Sequence, residues 1–316
     1  MAADIPKLDS ELAQRLPSTN TDRRLTGCRE ESAVKRYGNF LTVDINHKGV
    51  LDVDVVKGCT AGIAAHGGAG CYQACYAASI AKFRGMDFSR ATVRKVRTKA
   101  QAVMIERAVK AAPLGFFRIG TMGDPCHAWE ETVRTVEWLA PYAIPVIITK
   151  HWKRATDDTL QRLVACGAII NTSVSALDSA KHLARRLAEI QRYADMGGAS
   201  VTRVVSCDFN TDDPVAAAMD RVQRRLFAMH PMIDNPLRVS STHHLVRAGL
   251  IRLRKVKDLT AVRTISISPD SRTYLGHCSG CTDLCGAGLL DKPDVRPASP
   301  QPNLFYGDKD ERTIAV

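Results

Sequence analysis

Residues 57–79 read KGCTAGIAAHGGAGCYQACYAAS, a glycine-rich stretch between a strand-like and a helix-like segment. The apolar run LDVDVV (51–56) precedes it and has β character, whereas YQACYAASIAKF (72–83) has helical spacing. The loop holds three thiols, those of Cys59, Cys71 and Cys75. Three thiolates can ligate three irons of a [4Fe–4S] cluster and leave the fourth iron open for a small ligand. A zinc site or scattered buried thiols is the alternative for this loop.

Outward from this loop, apolar strands alternate with amphipathic helices, as in a parallel sheet flanked by helices. Strands are predicted at 51–57, 115–120, 145–149, 168–173, 201–207 and 237–241. Helices are predicted at 72–84, 90–111, 128–140, 157–165, 177–196 and 213–229. Ser175 is a candidate N-cap for the fifth helix. The pattern predicts an α/β fold, and periodicity alone does not separate a barrel from a doubly wound sheet.

A second group of thiols, Cys278, Cys281 and Cys285, forms a CxxCxxxC run in GHCSGCTDLCGAG (276–288). Its tight turns suit either an iron–sulfur cluster or a zinc ion. A fourth ligand is not obvious. His277, Cys28 or a distant cysteine are the candidates, and an open site is the other possibility.

The composition indicates an anionic partner. The 316 residues carry a formal net charge of +11, and ten cysteines suggest a reducing compartment rather than a disulfide framework. No run of 18 apolar residues occurs and no signal-peptide layout is present, so a cytoplasmic protein without a membrane segment is expected. Basic residues concentrate at 90–99 and 252–257, where contacts with a nucleic-acid backbone are predicted. Two solvated faces on a basic protein are the alternative.

Several motifs together resemble the radical S-adenosylmethionine (radical SAM) superfamily, and within it the phage-type proteins with a GC…C…CYA cluster loop. They are the loop at 58–77, FRIGTMGDP (117–125), VIITKHW (146–152) and NTSVS (171–175). The gaps between the loop cysteines are eleven and three residues, where the superfamily usually has three and two.

The resemblance implies an open, partial (β/α)6 barrel with a C-terminal auxiliary cluster region. It divides the chain into an N-terminal extension (1–50), the radical SAM core barrel (51–245) and a C-terminal auxiliary iron–sulfur region with a tail (246–316). It also implies S-adenosylmethionine on the open iron of the first [4Fe–4S] cluster. A second cluster, of the [4Fe–4S] type, is expected at the C-terminal cysteines.

The resemblance further implies cofactor contacts, residue by residue. Tyr76 is expected beside the adenine, with ordinary core packing as the alternative. Thr121, Gly123 and Asp124 match the turn that meets the methionine amino group, and Asp124 is equally suited to cap the following helix. Lys150 is expected to pair with the methionine carboxylate. The ribose hydroxyls are assigned to Asn171, Ser173 and Ser175.

The activity that the resemblance implies is generation of a 5′-deoxyadenosyl radical, with an electron donor such as flavodoxin or ferredoxin. Similarity to phage DNA-hypermodification isomerases indicates rearrangement of a glycinyl-thymine base in DNA, in the host cytoplasm if the chain is phage-encoded. Two alternatives stay open. One is a radical SAM maturase acting on a peptide or tRNA. The other is a non-enzymatic, zinc-bearing nucleic-acid-binding protein.

Overall fold

A computed structural model describes residues 40–60, 75–84, 87–259 and 261–289 of the chain. Cys28, Cys71 and the loop glycines at 67, 68 and 70 lie outside these ranges. The described residues form an α/β fold with a mainly parallel central sheet of seven strands, as the sequence predicts. None of the described helices is long and apolar enough to cross a membrane.

Thirteen strands occur in the described residues. The central sheet contains β1 (Thr42–Ile45), β2 (Leu51–Asp54), β5 (Phe116–Ile119), β6 (Ile144–Thr149), β7 (Ile169–Val174), β8 (Ala199–Ser206) and β10 (Met232–Pro236). Three short pairs join β3 (Val56–Lys57) to β4 (Thr92–Val93), β9 (Asp208–Phe209) to β11 (Ile251–Arg252), and β12 (Arg254–Asp258) to β13 (Ala261–Ile265).

Seven α-helices occur in the same part of the chain. They are α1 (Tyr76–Phe83), α2 (Lys99–Lys110), α3 (Trp129–Leu139), α4 (Asp157–Ala165), α5 (Ala180–Asp195), α6 (Pro214–Phe227) and α7 (His244–Arg247). Three 3-10 segments span Pro125–Ala128, Cys278–Gly280 and Leu284–Leu289.

The central sheet follows the chain in sequence. Its order is β1-β2-β5-β6-β7-β8-β10, and every neighbouring pair from β2 onward is parallel. β1 alone runs antiparallel, as a hairpin with β2. The expected N-terminal extension therefore contributes a strand to the central sheet.

Three predicted boundaries are wrong. The sixth parallel strand is β10, at Met232–Pro236, and not 237–241. MIDNP has little β propensity, but it occupies the edge of the sheet, where a proline is tolerated. The helix predicted at 90–111 begins at Lys99, because Thr98 caps it and accepts a hydrogen bond from the Gln101 N–H. Ser179, rather than Ser175, caps α5.

Alternate residues of the strands face two different layers. Phe117, Ile147 and Ile170 pack into the core cluster that includes residues of α3 and α4. Their chain neighbours Phe116, Val146 and Ile169 face the other way and pack with Leu284, Cys285 and Ala287 of the C-terminal segment. Because successive side chains of a strand point to opposite faces, one face is covered by helices and the other, near the strand beginnings, by this segment.

The segment after β10 contacts strands near both lateral edges of the sheet. At the last strand, the Thr273 hydroxyl donates a hydrogen bond to the Asp234 carbonyl. At the first hairpin, the Cys278 N–H donates to the Lys48 carbonyl, and Lys48 Nζ lies 3.3 Å from Asp258. The C-terminal region therefore packs on the sheet and spans the side between β10 and β2.

Candidate functional site

The beginning of the cysteine loop lies against the TMGDP turn, at the carboxyl ends of neighbouring strands. Gly58 and Gly123 form an isolated parallel bridge, and the Gly58 N–H donates to the Met122 carbonyl at 2.9 Å. Both positions need glycine. A Cβ on Gly58, whose φ is +86°, would lie 1.9 Å from the Arg90 carbonyl oxygen, and one on Gly123 would lie 2.6 Å from the Val56 carbonyl oxygen. This contact places Cys59 beside the turn.

Two of the three loop cysteines share one small apolar cluster. Cys59 is 6% exposed and packs with Met122 and Phe88, and the half-buried Cys75 packs against the same cluster. Cys59 Sγ lies 3.5 Å from Nε2 of His127, in the 3-10 turn after the TMGDP motif. Burial lowers the pKa of His127, so the neutral ring is favoured. An apolar shell with a nearby ring N–H suits thiolate ligands of an iron–sulfur cluster.

No three His, Cys, Asp or Glu side chains among the described residues stand in an arrangement that could hold a metal ion. At the first loop, the third thiol, Cys71, lies outside those residues. At the second group, Cys278, Cys281 and Cys285 are near neighbours but do not converge. Burial, and next the Cys285 thiolate, raises the pKa of Cys278.

The C-terminal cysteines lie at the opposite end of the sheet from Cys59. Cys278 and Cys285 pack against residues at the beginnings of the parallel strands, among them Phe116 and Ile169. The Asn171 side-chain N–H donates to the Cys285 carbonyl at 2.7 Å, and Cys285 itself has a φ of +56°. Asn171, predicted as a ribose contact, therefore holds the C-terminal turn in place.

Asp124 fixes the next two loops at the carboxyl end. It caps the 3-10 turn by accepting a hydrogen bond from the Cys126 N–H, which is the alternative that the sequence left open. The same carboxylate accepts from the Thr149 hydroxyl at 2.6 Å and from the Lys150 N–H at 2.8 Å. Asp124 thus joins the ends of β5 and β6, and both its oxygens already accept from protein donors. Thr121 and Gly123 lie in the same turn.

Lys150 has an internal counter-ion. Its Nζ lies 3.9 Å from the Asp178 carboxylate, in the loop before α5. Asp178 also forms an ion pair of 2.5 Å with Arg186 of α5, and both side chains are fully buried. The Arg186 guanidinium donates to the Lys150 carbonyl at 2.8 Å and lies over the Trp152 ring, 4.6 Å from its centroid. These ion pairs and hydrogen bonds fix the position of the TKHW loop.

Sequence reasoning did not find Asp178 or Arg186. One signal was available, because Arg186 occupies the buried face of α5 at helical spacing with Leu183, Ile190 and Tyr193. A charged residue on an apolar helix face requires a partner. The partner itself is set by the tertiary fold.

His151 is buried in an unusual backbone conformation at the end of β6. Its φ is +49°, it is 1% exposed, and its Nε2 lies 3.1 Å from the Thr172 hydroxyl. Nδ1 has no hydrogen-bond partner among the described residues. Burial lowers the pKa of His151 to about 4, so the ring is neutral at pH 7.

The remaining predicted contacts are distributed as follows. Ser175 lies in a turn, where its hydroxyl donates to the Val205 carbonyl and its N–H donates to Asp178. Ser173 is 7% exposed on the strand face opposite the helices, in register with Arg203. Tyr76 begins α1.

One predicted nucleic-acid contact is corrected by the structure. Arg94 is 2% exposed, and its guanidinium donates to the Thr42 hydroxyl at 2.8 Å. Burial lowers its pKa, and the same burial raises the pKa of neighbouring Asp54 to about 6. An arginine enclosed in this way cannot reach a phosphate. Lys95 is exposed but pairs with Glu131 at 3.2 Å.

Comparisons with known proteins identify no relative of the chain. No protein-family model matches the chain, and no curated protein or solved structure matches it.

Proposed function

We propose that the chain is a radical SAM enzyme whose site lies at the carboxyl ends of the parallel strands. The observation that carries the proposal is the meeting of Cys59 and Cys75 beside the TMGDP turn. Ligands of parallel α/β proteins gather at this edge. When bound, a [4Fe–4S] cluster with S-adenosylmethionine supplies one-electron cleavage of a carbon–sulfur bond.

The fold supports this proposal through its strand order. Six parallel strands follow the chain order without reversal, whereas a doubly wound sheet reverses its order at a switch point. The face opposite the helices carries a bidentate Asp52–Arg118 ion pair and buried Ser173. These polar groups lie beside an apolar cluster that includes Phe116, Val146 and Ile169, so the strand order is the feature that favours an open barrel.

The residues of the site have separate tasks in this proposal. Cys59, Cys71 and Cys75 hold three irons. With Cys59 as a thiolate ligand, a proton on Nε2 of His127 would be donated to its sulfur, and the apolar cluster around Cys59 would exclude water. Asp124 positions the ends of β5 and β6, so that the TKHW loop keeps one arrangement.

The substrate we propose is a hypermodified thymine in DNA, of the glycinyl-thymine kind, with an isomerisation as the reaction. The net charge of +11 supports an anionic macromolecule. A reduced flavodoxin or ferredoxin in a reducing cytoplasm is the electron source. We also propose a second iron–sulfur cluster at the C-terminal cysteines, which would have to draw together three thiols that do not converge in the described residues.

Iron and acid-labile sulfide analysis after anaerobic reconstitution tests the cluster assignment. We expect the triple variant Cys59→Ala/Cys71→Ala/Cys75→Ala to lose about four irons per chain, and the corresponding variant of Cys278, Cys281 and Cys285 to lose a separate four. Cys166→Ala is the matched control, because this buried thiol packs in the main core. Unchanged iron in the first triple variant, or zinc in place of iron in the wild type, would refute the enzyme assignment and favour a zinc-bearing DNA-binding protein.

A further inference from the structure

The hairpin of β12 and β13 is a cationic ribbon with two different faces. Between positions 251 and 267 the chain has five basic residues and a single acidic one, Asp258. The antiparallel register sets Lys255 opposite Thr264, and Lys257 opposite Val262. These four side chains share one face, since registered partners point to the same side of a sheet.

Residues on the other face of the ribbon form ion pairs with acidic side chains of the same protein. Arg254 donates to the Asp208 carboxylate at 2.9 Å, and Arg263 lies 3.4 Å from Asp258. Asp258 is buried and also contacts Lys48 of the first hairpin. The cations of this face are therefore neutralised by the protein itself, and they hold the ribbon at both of its ends.

The outward face carries charge that the protein does not neutralise. Lys255 and Lys257 are exposed, and neither forms an ion pair with a described residue. Opposite them on the partner strand, Val262 is 70% exposed and Thr264 is also exposed. Successive residues on one face of a strand are about 6.8 Å apart, so the two ammonium groups form a short row beside an apolar contact.

The ribbon starts from the edge of the sheet where the candidate site lies. The Asp208 N–H, just after β8, donates to the Ser266 hydroxyl, and the Ser266 N–H donates to the Leu237 carbonyl after β10. The carboxyl ends of two parallel strands thus position the base of the ribbon. The tip of the ribbon, at Asp258, instead contacts Lys48, which precedes β2. A macromolecule bound to the outward face would lie next to the proposed site at the base of the ribbon.

From these observations we propose that the β12–β13 ribbon docks in the major groove of duplex DNA. This inference rests on the proposed nucleic-acid substrate and assigns the surface that binds it. The major groove, about 12 Å wide, admits a two-stranded ribbon. Lys255 and Lys257 contact phosphates, while Val262 and Thr264 face the base edges, where an apolar side chain meets thymine methyl groups. Arg94 is enclosed, whereas Lys255 and Lys257 are exposed on one face of the ribbon, so we assign the contact to this element rather than to Arg94.

Fluorescence anisotropy with a labelled duplex of about two helical turns, roughly 20 base pairs, tests this surface. Two phosphate contacts should contribute about 1.8 to the slope of log K against log salt. We expect Lys255→Glu/Lys257→Glu to flatten the slope by about that amount and to weaken binding at least about tenfold. Lys181→Glu/Arg221→Glu, which makes the same charge change on the outward surfaces of α5 and α6, is the matched control and should bind nearly as the wild type does.

The same titration discriminates the rival surfaces and partners. An equal loss of DNA affinity in the control variant would show a general charge effect. A loss of affinity only in Lys99→Glu/Lys110→Glu would assign binding to α2. Equal affinity for single-stranded DNA, or preference for anionic vesicles, would also overturn the groove assignment. Lys255→Gln/Lys257→Gln, checked by circular dichroism, provides a variant that removes charge without introducing repulsion. Binding is measured without S-adenosylmethionine, so a failed cluster assignment would leave this test intact.

Discussion

The Asp178–Arg186 ion pair provides the sharpest prediction about stability. Both side chains are fully buried, and their charged atoms are 2.5 Å apart. Replacement by Asp178→Asn leaves the Arg186 charge without its carboxylate, and Arg186→Met leaves Asp178 with Lys150 Nζ at 3.9 Å as the nearest cation. Each variant therefore removes the closest counter-ion of one buried charge.

The expected loss follows from that burial. Breaking a buried pair by removing one partner costs about 3–5 kcal/mol of unfolding free energy. Arg186→Met also removes the contact with the Trp152 ring, which contributes about 1–2 kcal/mol more when desolvated. The double variant removes both charges of the pair and leaves only Lys150, whose side chain is 13% exposed, without Asp178, so its loss should be smaller than the sum of the single losses by about 2–3 kcal/mol.

Urea unfolding of the four proteins measures this coupling. The exposed pair of Arg134 and Glu130, at 56% and 58% exposure, is the control, and its double-mutant cycle should give less than about 1 kcal/mol. Single losses below about 1 kcal/mol, or additivity of the Asp178 and Arg186 variants within about 0.5 kcal/mol, would refute the reasoning.

Three further predictions concern single positions. His127→Phe should lower the midpoint potential of the first cluster in an EPR-monitored redox titration, because a hydrogen bond to the Cys59 sulfur favours the reduced state; an unchanged potential would contradict this. His151 has a folded pKa of about 4 against 6.5 unfolded, so its neutral form contributes stability that is complete above pH 6.5 and is lost as the pH falls to 4. His151→Asn, which tolerates a positive φ, should flatten that acid loss in urea unfolding, and an equally steep loss would rule the account out. Gly58→Ala should lower the free energy of unfolding by about 2 kcal/mol more than Gly115→Ala does, because both glycines have positive φ but only Gly58 faces a backbone oxygen. Equal unfolding midpoints of the two variants would argue against this close contact.

Most helices and strands could be predicted from the sequence, because their apolar residues recur with a clear helical or strand period. The helix predicted at 157–165 matches α4 at both ends, where Thr156 caps the first turn. β10 could not be found, because MIDNP becomes a strand through its pairing with β8 rather than through its own propensity. α5 was placed three residues early, since Ser175 and Ser179 are equally good caps in sequence.

For the site, the sequence located the loops but not their contacts. The proximity of Cys59 to the TMGDP turn followed from the rule that the carboxyl ends of parallel strands meet at one edge. The burial of Arg94 and the pairing of Asp178 with Arg186 depend on long-range packing, and a count of charges does not distinguish an enclosed arginine from an exposed one.

The central claim is that the cysteines at the carboxyl edge hold a cluster that cleaves S-adenosylmethionine. Its most direct test is the amount of 5′-deoxyadenosine formed from S-adenosylmethionine by reconstituted protein under anaerobic, reducing conditions. We predict that the wild type forms 5′-deoxyadenosine and methionine, and that Cys59→Ala/Cys71→Ala/Cys75→Ala forms neither. Equal formation by the triple variant, or none by wild-type protein with its full iron content, would contradict the account.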